Sequence, residues 1–158
     1  MHAITRRTIA VLSGLLLSLT TAHTVAAAPT AADCRGPGAR LKTPSSSAVY
    51  LVDPQGTLRH IPDGTVYDRL FDDWNYWTVS DSELSSCWPY PPRKYPLNGA
   101  HLVKTGDSAK VYIYDSHYNR YRWIVDGYTF ATKYGFSWDK VRTQELDPDS
   151  IERSWPWR

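Results

Sequence analysis

Set against itself, the chain repeats. Lys42-Thr43 falls on Lys104-Thr105, Ser46 on Ser108, and Val49-Tyr50-Leu51-Val52-Asp53 on Val111-Tyr112-Ile113-Tyr114-Asp115. After a one-residue shift in the intervening turn, Arg59-His60-Ile61-Pro62-Asp63-Gly64 falls on Arg122-Trp123-Ile124-Val125-Asp126-Gly127. The match then sets Trp74 on Phe136, Tyr76 on Trp138, Val79 on Val141 and Glu83-Leu84 on Glu145-Leu146. About 13 identities over about 46 aligned positions, spread along the unit, point to duplication rather than coincidence. Units of this size bury too little surface singly, so the two copies are expected to pack on each other.

Each copy carries the same local signals. Val49 to Asp53 is β-branched and aromatic, Pro54-Gln55-Gly56 is a turn, and Thr57 to Ile61 is a second short run, which predicts a β-hairpin. The second copy repeats it from Lys110 to Val125 around a polar turn at Ser116 to Asn119. Asp63-Gly64-Thr65 predicts a helix start, with Val66, Tyr67 and Leu70 facing inward, and Asp126 to Tyr134 does the same with Phe130 and Tyr134. Gly135 is placed to stop the second helix in a left-handed cap, and Ser80-Asp81-Ser82-Glu83-Leu84 has the spacing of a capping box.

The expected organisation is a signal peptide over 1–27, a flexible arm over 28–47, a first repeat over 39–87, a connector over 88–100, a second repeat over 101–153 and a Trp-rich tail over 154–158. The connector holds Pro89, Pro91, Pro92 and Pro96 and is expected to be extended and stiff. The fold class these signals imply is a β-rich α+β protein of two tandem ββα-like repeats packed together and stapled by one disulfide.

The leader combines Arg6-Arg7, an apolar stretch from Ile9 to Leu19 too short to span a bilayer, and small residues at Ala26-Ala27-Ala28. Cleavage after Ala27 is expected, with Ala32 the alternative site; the arginine pair leaves a twin-arginine route open beside the general secretory one. Cys34 and Cys87 are the two cysteines of the chain, and in an oxidising exterior a disulfide between them is the default. Closing a loop of roughly fifty residues stabilises by about 4 kcal/mol at most in the chain-entropy model. A reactive thiol is the competing reading, and it leaves the second cysteine unexplained. Without Arg6 and Arg7 the 18 Lys and Arg fall to 16, against 16 Asp and Glu. A neutral exported chain has no electrostatic reason to bind nucleic acid. No later segment is apolar enough for membrane insertion.

Catalytic signals are weak. His60, His101 and His117 stand outside metal-ligand spacing of one another, and no nucleophile elbow, phosphate loop or zinc-protease helix motif occurs. Asp63 and Asp126 read as helix caps, Asp53 and Asp115 as turn residues, and the Asp147, Asp149, Glu152 group lacks a glycine-centred calcium loop. The expectation is therefore no catalytic residues, no metal and no cofactor. The aromatics are the better candidates: with 7 Trp and 11 Tyr against 3 Phe, rings serve either as core or as binding platforms. The candidate surface is Tyr50, Trp74, Tyr76, Trp77, Tyr112, Tyr114, Tyr118, Tyr121, Trp123 and Trp138. Such rings suit a protein partner as hot spots or a glycan as stacking platforms.

The pattern Lys-Thr, Val-Tyr-Leu-Val-Asp, a turn, Arg-His-Ile-Pro, an aromatic-bearing helix, a Trp, a Val and Glu-Leu resembles a roughly fifty-residue tandem repeat of bacterial secreted and surface proteins. The resemblance covers Arg40 to about Glu152. The first copy departs from it at Asp72, where the second has Gly135, and the second at Val125, where the first has Pro62. It implies a scaffold or binding part and supplies no catalytic residues. In size, export and N-terminal arm the chain is also similar in kind to the adaptor subunits of the umbrella-shaped toxin particles of Streptomyces. The expected function is a secreted, non-enzymatic adaptor between extracellular proteins, with a lectin-like or cell-wall glycan binder as the alternative and a hydrolase or protease inhibitor as a remote one.

Overall fold

A computed structural model describes residues 34–89, 95–106 and 108–158. The leader expected over 1–27, the arm residues 28–33 and the connector residues 90–94 lie outside the described residues. The protein is a β-rich mixed α/β molecule with two sheets, few helices and one disulfide, Cys34–Cys87, across a Cα separation of 5.5 Å.

The first sheet contains β1 (Arg40–Lys42), β2 (Val49–Val52), β3 (Leu58–Ile61) and β4 (Trp77–Thr78), in the order β3-β2-β1-β4. The second contains β5 (Leu102–Lys104), β6 (Val111–Asp115), β7 (Arg120–Ile124), β8 (Arg142–Thr143) and β9 (Ile151–Trp157), in the order β8-β5-β6-β7-β9. The two hairpins are β2-β3 and β6-β7, where β-branched and aromatic residues favour the pleated backbone. Each gains a third antiparallel strand, β1 or β5, and each of these pairs in parallel with a two-residue strand, β4 or β8. Only the second sheet adds a fifth strand, β9, parallel to β7.

Helix α1 (Gly64–Asp68) starts where Asp63 accepts from the Val66 amide at 2.8 Å. Asp126 accepts from the Thr129 amide at 2.6 Å ahead of a π-helix over Tyr128–Lys133, and Gly135 follows it with φ +66°. Short polar side chains satisfy amides that a helix start leaves without intrahelical partners. Helix α2 (Asp81–Cys87) has Ser80 as its cap, accepting from the Glu83 amide at 3.0 Å.

Alternation along the strands sends Val49, Leu51 and Ile61 of the first sheet, and Leu102, Val111, Ile113 and Ile124 of the second, into one shared core. Tyr67, Phe71, Phe130, Tyr134, Phe136 and Trp157 complete it, so most of its bulk is aromatic. The Tyr134 hydroxyl is pushed to a higher pKa by burial and donates to the Arg158 carbonyl at 3.1 Å. The two halves also touch backbone to backbone: Gly38, at φ +97°, lies so close to the Lys133 carbonyl that a Cβ would stand 2.0 Å from its oxygen. Neither that conformation nor that distance admits another residue without a shift.

At one end of this core lies a buried ionic network. Arg59 donates to both oxygens of Asp115, at 2.6 and 3.1 Å, to Asp53 at 3.3 Å, and through Nε to the Tyr95 carbonyl. Arg122 donates to Asp115 at 2.8 Å, to Gln55 Oε1 at 3.2 Å and to the Trp155 carbonyl at 2.6 Å. Burial opposes the charged form of Asp115, but hydrogen bonds and charge from the two arginines outweigh it and hold the carboxyl below its usual range. Asp53 and Asp115 do hold turns as well, accepting from the amides of Gln55 and Thr57 and of His117.

Candidate functional site

The sheets differ on the faces turned away from the shared core. On the first, Leu41, Tyr50, Val52, Leu58 and Val79 pack with Trp88 into a second core, edged by Leu84 and Cys87 of α2. Trp88 is pinned there by donating Nε1 to the Gly56 carbonyl at 3.1 Å. On the second sheet the corresponding strands carry Val103, Tyr112, Tyr114, Tyr121 and Trp123, and neither core takes them in.

Val103 and Tyr112 form the buried floor of that second face, with Tyr112 8% exposed, and half-buried His101, Tyr114, Tyr121 and Trp123 stand around them. The rings of Tyr114 and Tyr121 meet edge to face at 5.4 Å, and His101 lies 5.5 Å from the first and 5.7 Å from the second. His101 Nδ1 faces the Gly99 carbonyl at 2.7 Å, which requires that nitrogen to carry a proton. In the neutral imidazole Nε2 then accepts from the Tyr121 hydroxyl at 3.3 Å, and that hydroxyl accepts from Gln144 Nε2 at 3.1 Å. Tyr114 donates to Asn119 Oδ1 at 2.8 Å. The face is thus a cluster of half-buried rings, with Tyr114 and Tyr121 fixed at their polar tips and packed on each other and on His101, a composition that suits protein contact.

Two grooves form a separate pair. One, of about 320 Å³, runs from Ser46–Val49 past His60–Gly64 to Tyr67 and Trp74. The other, of about 340 Å³, runs from Ala109–Val111 past Trp123–Gly127 to Phe130 and Trp138. Trp74 stacks on buried Tyr67 at 3.9 Å, and Trp138 on buried Phe130 at 4.0 Å; each tryptophan remains 54% exposed. Trp138 therefore occupies the place of Trp74, not that of Tyr76 as the self-alignment sets it. At the second groove's rim, hydrogen bonds from Thr129, backbone and side chain, hold Asp126 below the usual carboxylate range, and the Lys110 ammonium lies 5.3 Å from the Trp123 ring centre.

The ten candidate aromatics accordingly fall apart into groups. Tyr50, 5% exposed, belongs to the first sheet's second core and presents no ring to a ligand. Tyr112, Tyr114, Tyr121 and Trp123 share the second sheet's outer face, and Trp123 also lines a groove. Trp74 and Trp138 wall the grooves. Tyr76 is half-buried against the shared core beneath the Lys42 ammonium, Trp77 lies under the Arg35 guanidinium at 3.8 Å, and Tyr118 faces that of Arg122 at 5.1 Å. The ten candidates leave out the exposed Tyr128 and Trp155, and they leave out His101 and Gln144, which position Tyr121. The signal for His101 was available: it precedes Leu102-Val103-Lys104 as Ala39 precedes Arg40-Leu41-Lys42.

Among the described residues no three His, Cys, Asp or Glu side chains are placed to hold a metal ion, and no helix is long and apolar enough to cross a membrane. Compared with family models, curated proteins and solved structures, the chain finds no match.

Proposed function

We propose that this protein is a secreted, non-enzymatic interaction module, built of two tandem copies of one unit and acting as an adaptor between extracellular proteins. The observation that carries the reading is the half-buried aromatic face of the second sheet, which joins neither core, where the equivalent face of the first is covered by α2, Trp88 and the disulfide. Tyr114 and Tyr121, held by hydrogen bonds at their tips, suit the rigid aromatic anchors of protein hot spots. Duplication is supported by the shared strand order and by equal pairing, Leu41 with Tyr50 and Val103 with Tyr112. Export is supported by the leader sequence and by a cysteine pair joined as a disulfide. A non-catalytic role is supported by the carboxylates, since Asp53 and Asp115 serve the arginine network and Asp63 and Asp126 cap helices. The resemblance in size, export and arm to the toxin-particle adaptors points the same way.

The test is affinity purification of the tagged protein from the culture supernatant of its host, with a Tyr114→Ser/Tyr121→Ser variant beside it. The expected result is one or more secreted partners in near-equal amount, lost in the variant while its melting temperature holds within a few degrees. A lone monomer, or a partner retained by the variant, overturns the reading of this face.

A further inference from the structure

The grooves walled by Trp74 and Trp138 include neither Tyr114 nor Tyr121, although Trp123 lines the second, and they raise a separate question. Each tryptophan is clamped by stacking on a buried ring yet stays half exposed, and the arrangement occurs twice. Stacking fixes the orientation of a flat apolar surface that remains wet. Were the rings only lids over the shared core, a further side chain beside them would improve the seal.

The neighbouring positions argue against a lid. Gly64 and Gly127 stand beside the tryptophans, where an added Cβ would meet the indole edge at 3.7 and 3.9 Å, ordinary van der Waals contact. Neither glycine has the positive φ that would require it, since both are absent from the left-handed set. Gly64 is the first residue of α1 and Gly127 the residue ahead of the π-helix, so alanine at either would chiefly add cover. Neither lack of space nor a left-handed φ requires glycine at these two sites; what it does in both is leave the indole edge bare.

We propose that the two grooves are carbohydrate sites, each taking one unit of a glycan built from equatorially substituted hexopyranoses of the glucose or N-acetylglucosamine type. Such a ring turns only C–H groups to its faces, which match a flat indole, and sends its hydroxyl or amide groups outward around its edge. Around the tryptophan each groove supplies polar groups to meet them: Ser46, His60 and Asp63 in the first, Lys110 and Asp126 in the second. Volumes of about 320 and 340 Å³ are at the small end for ligand sites and fit a saccharide unit rather than a folded chain. The walls are alike and the rims are not, so the grooves bind the same class of sugar with different affinity. Two sites on one chain also make attachment to a polymer bivalent, so it should be tighter than attachment to a short oligomer.

The experiment is isothermal titration of the disulfide-bonded chain with cellotriose and with N,N′,N″-triacetylchitotriose, alongside co-sedimentation with cellulose and chitin. The expected result is binding of at least one trimer at two sites per chain, reduced to one by Trp74→Ala or by Trp138→Ala, with polymer affinity falling tenfold or more in either single variant. Since removing a stacked ring can disturb the core beneath, Gly64→Leu and Gly127→Leu are the second arm: they fill the groove and keep every core atom. Loss of sugar binding in the double glycine variant, with an unchanged melting temperature, supports the proposal. No binding of either trimer at millimolar concentration, or binding that survives both leucines, overturns it. Capture of secreted protein partners should be untouched by Gly64→Leu, whose groove shares no residue with the aromatic face, so the failure of one proposal is distinguishable from the failure of the other.

Discussion

The outer faces of the two sheets rest on strands paired in the same sense, and they meet opposite fates. Val52 and Leu58 of the first correspond in register to Tyr114 and Tyr121 of the second, and Val79 to Gln144: the Val79 amide donates to the Lys42 carbonyl at 3.0 Å and the Gln144 amide to that of Lys104 at 2.9 Å. Beyond those two residues the chain takes different paths. After Val79 it turns into α2, whose Leu84 and Cys87 pack over the sheet; after Gln144 it runs through a short 3₁₀ turn at Pro148–Ser150 into β9, along the sheet edge. A covered face can use aliphatic side chains, which need no hydrogen bonds, whereas an open one needs side chains with a polar tip. The difference teaches that the strands set the platform and the segment leaving the last strand decides whether it is core or surface.

The largest expected effect tests how far the halves are independent. Asp115 belongs to the second half but answers both arginines, so Asp115→Ala leaves two buried guanidiniums short of charge and is expected to cost about 3–5 kcal/mol, read from urea midpoints. Arg122 does not touch Asp53, so Asp53→Ala should cost less. Equal losses would mean the network is not centred on Asp115. The same carboxylate sets acid sensitivity: because its folded pKa is depressed, its contribution is complete above the usual value of 3.8 and is lost as pH falls through the folded value. Asp115→Ala should therefore flatten the acid limb of a stability–pH profile.

Next comes the cover itself. Replacing Cys34 and Cys87 by alanine removes the staple at the end of α2, with an expected loss of about 2–4 kcal/mol and a rise in Trp88 solvent exposure by quenching. An unchanged midpoint would show that the first face stays closed without it. The smallest effects come from exchanging the two faces. Val79→Gln places an amide in an apolar core and is expected to cost about 1–3 kcal/mol, while Gln144→Val should stay within about 0.5 kcal/mol in thermal unfolding. Equal costs would mean that the second face is as closed as the first.

Part of this architecture was legible from residue types. The hairpins follow from Val-Tyr-Leu-Val and Val-Tyr-Ile-Tyr, the helix starts from Asp63 and Asp126, and the disulfide from the presence of two cysteines in the chain. The short parallel strands were not legible, because Trp77–Thr78 and Arg142–Thr143 are exposed and offer no apolar alternation. Identity also misled the alignment beyond the helices: Val79 matched Val141 by residue type, but the backbone pairs it with the position of Gln144. Strand β9 reads poorly because Arg153 and Ser154 are exposed and Pro156 interrupts it. The arginine network joins residues as far as 67 positions apart, a link that spacing along a chain does not reveal. For the candidate site, alternation separated Tyr112 and Tyr114 from Val111 and Ile113, but it carries no information on what lies above a face, and so it grouped buried Tyr50 with exposed Trp74.

The sharing of Asp115 has a last consequence for how this molecule comes apart. An opening confined to the first half would strand Arg122 and Asp115 without Gln55 and Arg59, and one confined to the second would leave Arg59 with Asp53 but without the carboxylate of Asp115. Partial opening is therefore penalised from either side, and a calorimeter should record one cooperative transition. A protease reaching for a site inside either sheet must wait for the whole molecule to open, so resistance to digestion there is governed by global stability rather than by the local stability of either sheet.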